Sequence, residues 1–239
     1  MATDPDHSKK SPLASTTTEA GRRQEARQAA RAQKEELYRK LVLEAAEPIF
    51  AQHGYDEARI GEISAASGLS LQTLYSAFPG KASIFEAIQE LRDEALHARV
   101  LDAAQDVKSP LDALLSGFRA ATLYFLENPD FLRIRLHGGF TWGTEESAAG
   151  DQGRTGAWRA ALERLRNACE RCTTAGIFVR RDPALMARMM LAIQQVELAH
   201  WLEEGMRRPA EEVSGDLEAQ VTRAFLRTPQ DAQPAKLER

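Results

Sequence analysis

The sequence holds little of what several protein classes require. Only two cysteines occur in 239 residues, so a secreted disulfide framework is excluded as the basis of the fold. No apolar run approaches the 18 residues of a membrane-spanning helix, and the N-terminus lacks the layout of a signal peptide. Positive charge is not in excess, because 31 Lys and Arg stand against 35 Asp and Glu, a net charge of −4. A protein that coats nucleic acid by bulk charge is therefore excluded, and we expect a soluble, cytoplasmic protein without a membrane partner.

The positive charge that is present lies in one segment. Residues 21–40 contain seven basic and three acidic side chains, a balance of +4, whereas residues 1–20 (−1), 41–81 (−3) and 82–239 (−4) are acidic. A basic segment beside a nearly neutral body is typical of an arm that touches nucleic-acid phosphates. A solvated helix face has the same composition, so both interpretations stay open.

Helical periodicity dominates the rest of the chain. Apolar residues recur at three- and four-residue spacing, and we find no internal repeat and no strand-like alternation of useful length. The sequence therefore predicts an all-α fold of about nine helices. Gly54 and Asn128-Pro129 are expected to end helices, and Pro48 to kink one. Residues 138–156, rich in Gly, Ser and Thr, are expected to form a long loop or lid.

Two short predicted helices, 59–67 and 70–78, are the most informative feature. Gly68 fits the left-handed residue that ends the first helix, and Ser70 fits the N-cap of the second. Helices this short are stable only when a third helix supports them, as in the helix-turn-helix, whose second helix enters the DNA major groove. An ordinary helical hairpin is the alternative.

The second short helix carries side chains suited to DNA. Gln72 can donate to and accept from a base edge, Thr73 can contact a base or a phosphate, and Leu71 can touch a thymine methyl group. Tyr75 offers a ring and a hydroxyl to the sugar-phosphate backbone. Lys81 opens the following helix, where free amides and the helix dipole attract phosphate.

These segments resemble a known family. The runs AAEPIFAQHGY (45–55) and IGEISAASGLSLQTLYSAFPGK (60–81) are similar to the first helix and the helix-turn-helix of the TetR family of transcriptional regulators. The resemblance covers residues 36–96 and, beyond them, only the plan of the fold. Arg59 stands where the family usually has a Ser or Thr cap, so it can gain a phosphate contact. The DNA-binding residues expected from both arguments are Arg59, Gly61, Ser70, Leu71, Gln72, Thr73, Tyr75, Ser76 and Lys81.

The resemblance implies a repressor that binds a palindromic DNA operator as a homodimer and leaves it when a small ligand binds. In this homodimer the last two helices, 183–204 and 210–227, are expected to pack against those of a second copy. The predicted division is a disordered tail (1–20), a basic helical extension (21–35), a three-helix DNA-binding domain (36–96), a helical regulatory and dimerisation domain (97–227) and a flexible tail (228–239). A helical enzyme or metal protein with a vestigial head is the alternative function.

A ligand cavity is expected from aromatic residues interleaved with a few polar ones, which suits a small hydrophobic or aromatic molecule. The candidates are Tyr124, Arg135, His137, Phe140, Trp142 and Met189. Core and loop packing is the alternative interpretation of these residues, and control by a protein partner is the alternative mode of regulation.

Other constellations favour packing over chemistry. Cys169 and Cys172 have the spacing of half a zinc site or a redox pair, but they fall on an apolar helical stripe. Glu197 and His200 have the spacing found in di-metal bundles, without the further ligands such sites need. His200 shares one face with Leu185 and Val196, so we expect it at a helix interface. Because no catalytic or nucleotide-binding signature occurs either, we expect no enzymatic activity, metal or cofactor.

Overall fold

The computed structural model describes residues 19–137 and 154–228, with side chains from 21–137 and 159–228. Over these residues the chain forms nine α-helices, so the predicted all-α fold is confirmed. A single antiparallel bridge, between Phe178 and Leu226, ties the segment before α8 to the end of α9. The helices are α1 (Glu19–Glu57), α2 (Ile60–Ser67), α3 (Leu71–Ala77), α4 (Lys81–Ala104), α5 (Pro110–Glu127), α6 (Pro129–His137), α7 (Arg154–Thr174), α8 (Pro183–Glu203) and α9 (Ala210–Phe225).

Side-chain caps explain where several helices begin. The Ser109 hydroxyl accepts a hydrogen bond from the Asp112 amide at 3.3 Å, and an Asp182 carboxylate oxygen accepts one from the Ala184 amide at 2.9 Å. Each cap is followed by a proline in the first helical turn, where its missing N–H leaves no intrahelical bond unmade. These starts agree with the sequence prediction.

The first helix is much longer than the DNA-binding segment requires. It runs without a break from Glu19, so the predicted extension at 21–35 and the helix that follows are one element. Pro48 keeps helical dihedrals, and the helical conformation breaks at Gly54, with φ 73° and ψ 176°. Glycine reaches this positive φ without the steric cost that other residues incur, which explains the predicted end at this position.

Two clusters of buried side chains hold the helices together. The head cluster joins α1–α4 and contains Val42, Phe50, Ile63, Leu74, Phe78, Ile84 and Ile88. The body cluster joins α5–α9 and contains Phe118, Phe125, Phe131, Cys169, Phe178, Met190, Leu198, Leu217 and Phe225. Helix α6 belongs to both, because its Ile134 lies in the head cluster and its Phe131 and Leu132 lie in the body cluster.

One sequence prediction needs correction. Helix α7 begins at Arg154, so residues 154–156 are helical and only 138–153 of the predicted loop or lid lie outside the described residues. In α8, Met186 and Met190 face the body cluster, whereas Leu185, Val196 and His200 stay exposed among the described residues, so the helix interface expected for His200 stays a prediction. No helix among the described residues combines the length and apolar character needed to cross a membrane.

Candidate nucleic-acid interface and effector cleft

The turn between α2 and α3 is fixed by backbone and side-chain hydrogen bonds. Gly68 adopts a left-handed conformation (φ 68°, ψ 13°) and its amide donates to the Ala65 carbonyl. The Ser64 hydroxyl donates to the Leu69 carbonyl at 2.6 Å, across the turn. Ile63 on α2 and Leu74 on α3 are both fully buried in the head cluster. The angle between the two short helices is therefore set by the turn and by the shared core.

Hydroxyl groups within α3 stabilise the helix itself. The Ser70 side chain accepts a hydrogen bond from the Thr73 amide at 3.2 Å and lies 2.9 Å from the Thr73 hydroxyl. The Ser76 hydroxyl donates to the Thr73 carbonyl at 2.7 Å. Sequence analysis assigned all three residues to DNA contact. In the structure each also has a role inside the helix, which leaves only part of its hydrogen-bonding capacity for a partner.

One side of α3 faces outward. Leu71 and Tyr75 are 48% and 50% exposed, Gln72 is exposed as well, and Leu74 between them has no exposed surface. Large apolar or aromatic side chains this exposed on a seven-residue helix leave a binding surface uncovered. The predicted base-reading residues therefore share the solvent side of a helix whose opposite side is anchored.

Arg39 supports the other end of α3. Its guanidinium donates to the Ala77 carbonyl at 2.8 Å and lies 4.1 Å from the centre of the Phe78 ring. A cation at a helix C-terminus satisfies a free carbonyl and the helix dipole together. The sequence analysis counted Arg39 only as part of the basic segment, because its distance of 38 residues from Ala77 gives no local signal.

Lys81 is engaged within the chain. Its ammonium donates to the carbonyls of Asp56 and Ala58 at 2.9 and 3.1 Å, and lies 4.7 Å from the centre of the Tyr55 ring. One of its three N–H donors remains for a phosphate. Arg59 is exposed and does not cap α2, and a Cβ added at Gly61 would meet nothing within 4 Å. Both positions are open to a partner.

The predicted ligand residues that the structure describes do not meet around one cavity. The Tyr124 hydroxyl donates to the Arg92 carbonyl at 3.1 Å, the Arg135 guanidinium pairs with Asp93 at 3.1 Å, and His137 Nε2 lies 2.9 Å from the Ala51 carbonyl oxygen. Met189 is half-buried against the body cluster. Phe140 and Trp142 lie outside the described residues. The three polar candidates instead connect α5 and α6 to α4 and α1.

A narrow cleft lies between α5, α6 and α8, and among the described ligand candidates only Arg135 lines it. It encloses about 250 Å³ of empty space, partly open to solvent, with room for little more than a water molecule between its walls. Gln195 is 4% exposed, and neither its amide oxygen nor its amide nitrogen has a hydrogen-bond partner among the described residues. The lining residues are Phe125, Leu132, Arg135, Leu136, Gln194, Gln195 and Leu198.

Ion pairs connect this region to the head. Arg92 on α4 makes two hydrogen bonds to the Glu47 carboxylate, at 2.9 and 2.7 Å, and a third to the Asn128 side-chain oxygen at 2.7 Å. The hydrogen bonds to Glu47 raise the pKa of Arg92. Burial raises the pKa of Asp93, an effect that nearby Arg135 partly offsets. The Arg92–Glu47 pair therefore joins α4 to α1 within the head, whereas Asn128 and Arg135 connect α4 to the region of α5 and α6.

The cysteines and the candidate metal residues are used in packing. Cys169 and Cys172 are fully buried in the body cluster, and burial raises the pKa of Cys169 to about 12. Glu197 pairs with Arg208 at 2.7 Å, and His200 is exposed. Over the described part of the chain, no three His, Cys, Asp or Glu side chains come together in a way that could hold a metal ion.

Comparison with known proteins agrees with the geometry of the head. The family profile described as bacterial regulatory proteins, tetR family, matches residues 42–88, which include α2, α3 and the parts of α1 and α4 that support them. The transcriptional repressor SCO4008 of Streptomyces coelicolor is 30% identical over 105 residues, covering 44% of this chain and 51% of that protein. The chain thus matches about half the length of this curated relative.

Solved structures are similar over most of the fold. The TetR family transcriptional regulator PfmR of Thermus thermophilus has a TM-score of 0.62 and 28% identity, over 76% of this chain and 97% of that one. The ketosteroid transcriptional regulator KstR2 of Mycobacterium tuberculosis has a TM-score of 0.67 at 19% identity, over 80% and 95% of the two chains. The helix-turn-helix within residues 42–88 is therefore that of the tetR family of bacterial regulatory proteins, and the described helices beyond it are arranged as in solved regulators of the same family.

Proposed function

We propose that the chain is a repressor that binds a palindromic operator as a homodimer and leaves it when a small organic effector binds. The observation that carries the proposal is α3, anchored on one side by Leu74 and open on the other through Leu71, Gln72 and Tyr75. A regulator of this kind would act on DNA in the cytoplasm, and the relatives named above are themselves transcriptional regulators.

The roles at the DNA surface follow from exposure and chemistry. Gln72 would read a base edge, and Leu71 would touch a thymine methyl group. Tyr75, Arg59 and the remaining donor of Lys81 would contact the sugar-phosphate backbone. At the close approach of α2, Gly61 would leave room for the backbone of the duplex, because no described residue lies within 4 Å of a Cβ added there. The hydroxyls of Ser70, Thr73 and Ser76 would add contacts secondary to their bonds within α3.

The uncovered stripe of α8 supports the homodimer. Leu185 and Val196 are 42% and 57% exposed on α8, and Ala192 is exposed between them. An apolar stripe of this kind is typical of a surface that a partner buries. Pairing of α8 and α9 with their mates in a four-helix bundle would fix the two copies of α3 about 34–36 Å apart, one turn of DNA, and require a palindromic site.

The cleft between α5, α6 and α8 is the best-supported effector site. Its walls are mostly apolar, and Gln195 supplies a buried donor and acceptor that have no partner among the described residues. The cleft must widen to admit an organic molecule. One solved structure with this fold, the FadR regulator of Bacillus subtilis, is a complex with stearoyl-CoA (TM-score 0.65, 14% identity). Widening would displace α6, which packs in both clusters, and an effector that prefers the widened state would weaken DNA binding.

Selection from a random pool of duplexes tests the DNA-binding function. We expect the chain to enrich a palindrome, and footprinting to show two half-sites about one helical turn apart. A variant with both Gln72→Ala and Tyr75→Ala, which leaves the anchored side of α3 intact, serves as control and should not enrich the same site. Recovery of no common sequence, or of the same sequence by the variant, would contradict the proposal.

Two neighbouring glutamines allow a matched test of the cleft. Gln195→Leu should raise the stability of the free protein by about 1–2 kcal/mol, since it removes a buried amide without partners. Gln194→Leu should lower it, because the Gln194 amide donates to the buried Thr122 hydroxyl at 2.8 Å. Thermal unfolding with a set of hydrophobic and aromatic compounds measures both effects. A compound that stabilises wild type and Gln195→Leu equally does not bind through Gln195, which would contradict this assignment of the site.

A further inference from the structure

The first half of α1 projects away from the rest of the chain. Residues 22–37 are exposed at every position, and burial on α1 begins only with Tyr38 and Arg39. At 1.5 Å per residue, the stretch from Glu19 to Arg39 extends about 30 Å. We call residues 19–38 the arm. A helix of this length without a packed side usually needs a partner surface or a set of internal ion pairs.

Basic side chains line one side of the arm. At 100° per residue, four of them fall within a sector of about 80°, and the acidic Glu25 and Glu36 fall outside it. Tyr38 continues the same line, and the Lys34 ammonium lies 5.4 Å from the centre of its ring. Arg31 also pairs with the exposed Glu35 at 2.9 Å, a contact of little energetic consequence in water. The basic stripe consists of Arg23, Arg27, Arg31 and Lys34.

The base of the arm lies beside the helix that we propose reads DNA. Arg39, one residue beyond the arm, donates to the carbonyl of Ala77, the last residue of α3. The arm therefore starts at the edge of the proposed major-groove surface and can reach duplex beyond the bases that α3 covers. At 3.4 Å per base pair, 30 Å corresponds to about nine base pairs.

The charge distribution explains why such a contact is needed. Residues 41–81, which contain α2 and α3, have a net charge of −3, and residues 82–239 have −4. Most of the affinity of proteins for DNA comes from basic side chains that displace counterions from phosphates. Residues 21–40, by contrast, carry +4, so the arm and its base are the part of the chain with an excess of positive charge.

We propose that the basic stripe of the arm binds the sugar-phosphate backbone of the duplex flanking the operator, independently of its sequence. This inference rests on the proposed DNA-binding function. It assigns to the arm the counterion release that strengthens binding, and it leaves sequence recognition to α3. The partner is a DNA backbone rather than an acidic protein surface, because the arm joins the chain at the C-terminal end of α3.

The test compares two double variants of the full-length chain that remove the same charge. Arg27→Ala with Lys34→Ala removes two residues of the stripe, and Arg22→Ala with Lys40→Ala removes two on the other side of α1. Each is titrated with the pool-selected duplex, cut to the half-sites alone or extended by about ten base pairs on each side. Circular dichroism checks that α1 stays helical, which alanine favours.

We expect the stripe variant to bind the extended duplex at least tenfold more weakly at 0.1 M salt, and the cut duplex like wild type. The slope of log K against log salt should fall in magnitude by about 3.5 on the extended duplex, because the homodimer loses two phosphate contacts on each protomer at about 0.9 each. The other double variant should keep most of the wild-type slope. Equal losses in both variants would show a bulk charge effect, and no loss in either would show that the arm does not touch DNA.

Other outcomes distinguish failure of the arm inference from failure of the proposed function. If the stripe variant loses self-association in sedimentation while its DNA affinity is unchanged, the arm binds protein. If wild type enriches no duplex at all, the proposed function fails and the arm inference fails with it. If wild type binds its selected site and both double variants match it on both duplexes, only the arm inference fails.

Discussion

At the scale of single residues, α3 separates side chains that hold the helix from side chains that remain available. Leu74 is fully buried and the Ser70 hydroxyl caps the helix, whereas the side chains of Gln72 and Tyr75 are exposed and form no hydrogen bond or ring contact with the described residues. The chemistry of the Gln72 and Tyr75 side chains then gives them different roles. An amide presents a donor and an acceptor that match one base edge, while a phenol at the backbone is indifferent to sequence.

Substitutions at these two positions should therefore differ in kind. We predict that Gln72→Ala lowers affinity for the selected operator by about 1–3 kcal/mol and removes discrimination at one position of each half-site. Tyr75→Phe should weaken binding to all duplexes by a similar factor. Titration against operators with single base-pair changes measures both. A uniform loss for Gln72→Ala across that set would contradict the assigned role.

Cys169 makes a pH-dependent contribution to stability. Burial raises its pKa from 9.0 to about 12, so above pH 9 the thiol of the unfolded chain loses its proton while that of the folded chain keeps it. The contribution is complete below pH 9 and is lost as pH rises from 9 to about 12. Relative to Cys169→Val, wild type should lose about 1 kcal/mol of unfolding free energy between pH 8 and pH 10. Urea unfolding at the two pH values measures this, and parallel losses in both proteins would contradict it.

At the scale of elements, α6 depends on a buried ion pair with α4. The side chains of Arg135 and Asp93 are almost fully buried and lie 3.1 Å apart. We predict that Asp93→Asn lowers stability by about 3–5 kcal/mol, because the arginine charge stays buried without its counter-charge. Glu127→Gln, which breaks the exposed pair of Glu127 with Arg99, is the control and should cost about 1 kcal/mol at most. Chemical denaturation compares them, and equal costs would show that burial of the Arg135 pair does not matter.

The ends of several helices could be predicted from the sequence, whereas the contacts between different helices could not. Ser70, Ser109 and Asp182 act within three residues of their own position, so a local pattern is enough to identify them as caps. Arg39 and Lys81 satisfy carbonyls 38 and 25 residues away, which only the packed fold brings near. The predicted ligand cavity failed on such tertiary contacts as well, since it was inferred in part from the aromatic and polar residues of α5 and α6. Their composition suits a pocket, but tertiary contacts with α1 and α4 use most of their polar groups.

At the scale of the whole molecule, the exposed stripe of α8 predicts how the protein assembles. We expect Val196→Glu to shift the chain from dimer to monomer, because it places a charge in the middle of the surface that the second copy would bury. Leu101→Glu, at a similarly exposed apolar residue on α4, is the matched control and should leave the dimer intact. Sedimentation equilibrium measures both. A monomeric wild type, or a dimer that survives in Val196→Glu, would contradict the proposed interface.

Because Ile134 of α6 fills part of the core of the head, the reading unit does not end where its own helices end. A fragment cut after residue 96 would lack that side chain and leave a void in the head cluster. Grafting α1–α4 of this chain onto the body of another regulator would create the same void unless α6 were transplanted with them. Modular exchange within this family of chains is therefore constrained by a nine-residue helix more than 30 residues downstream of that cut.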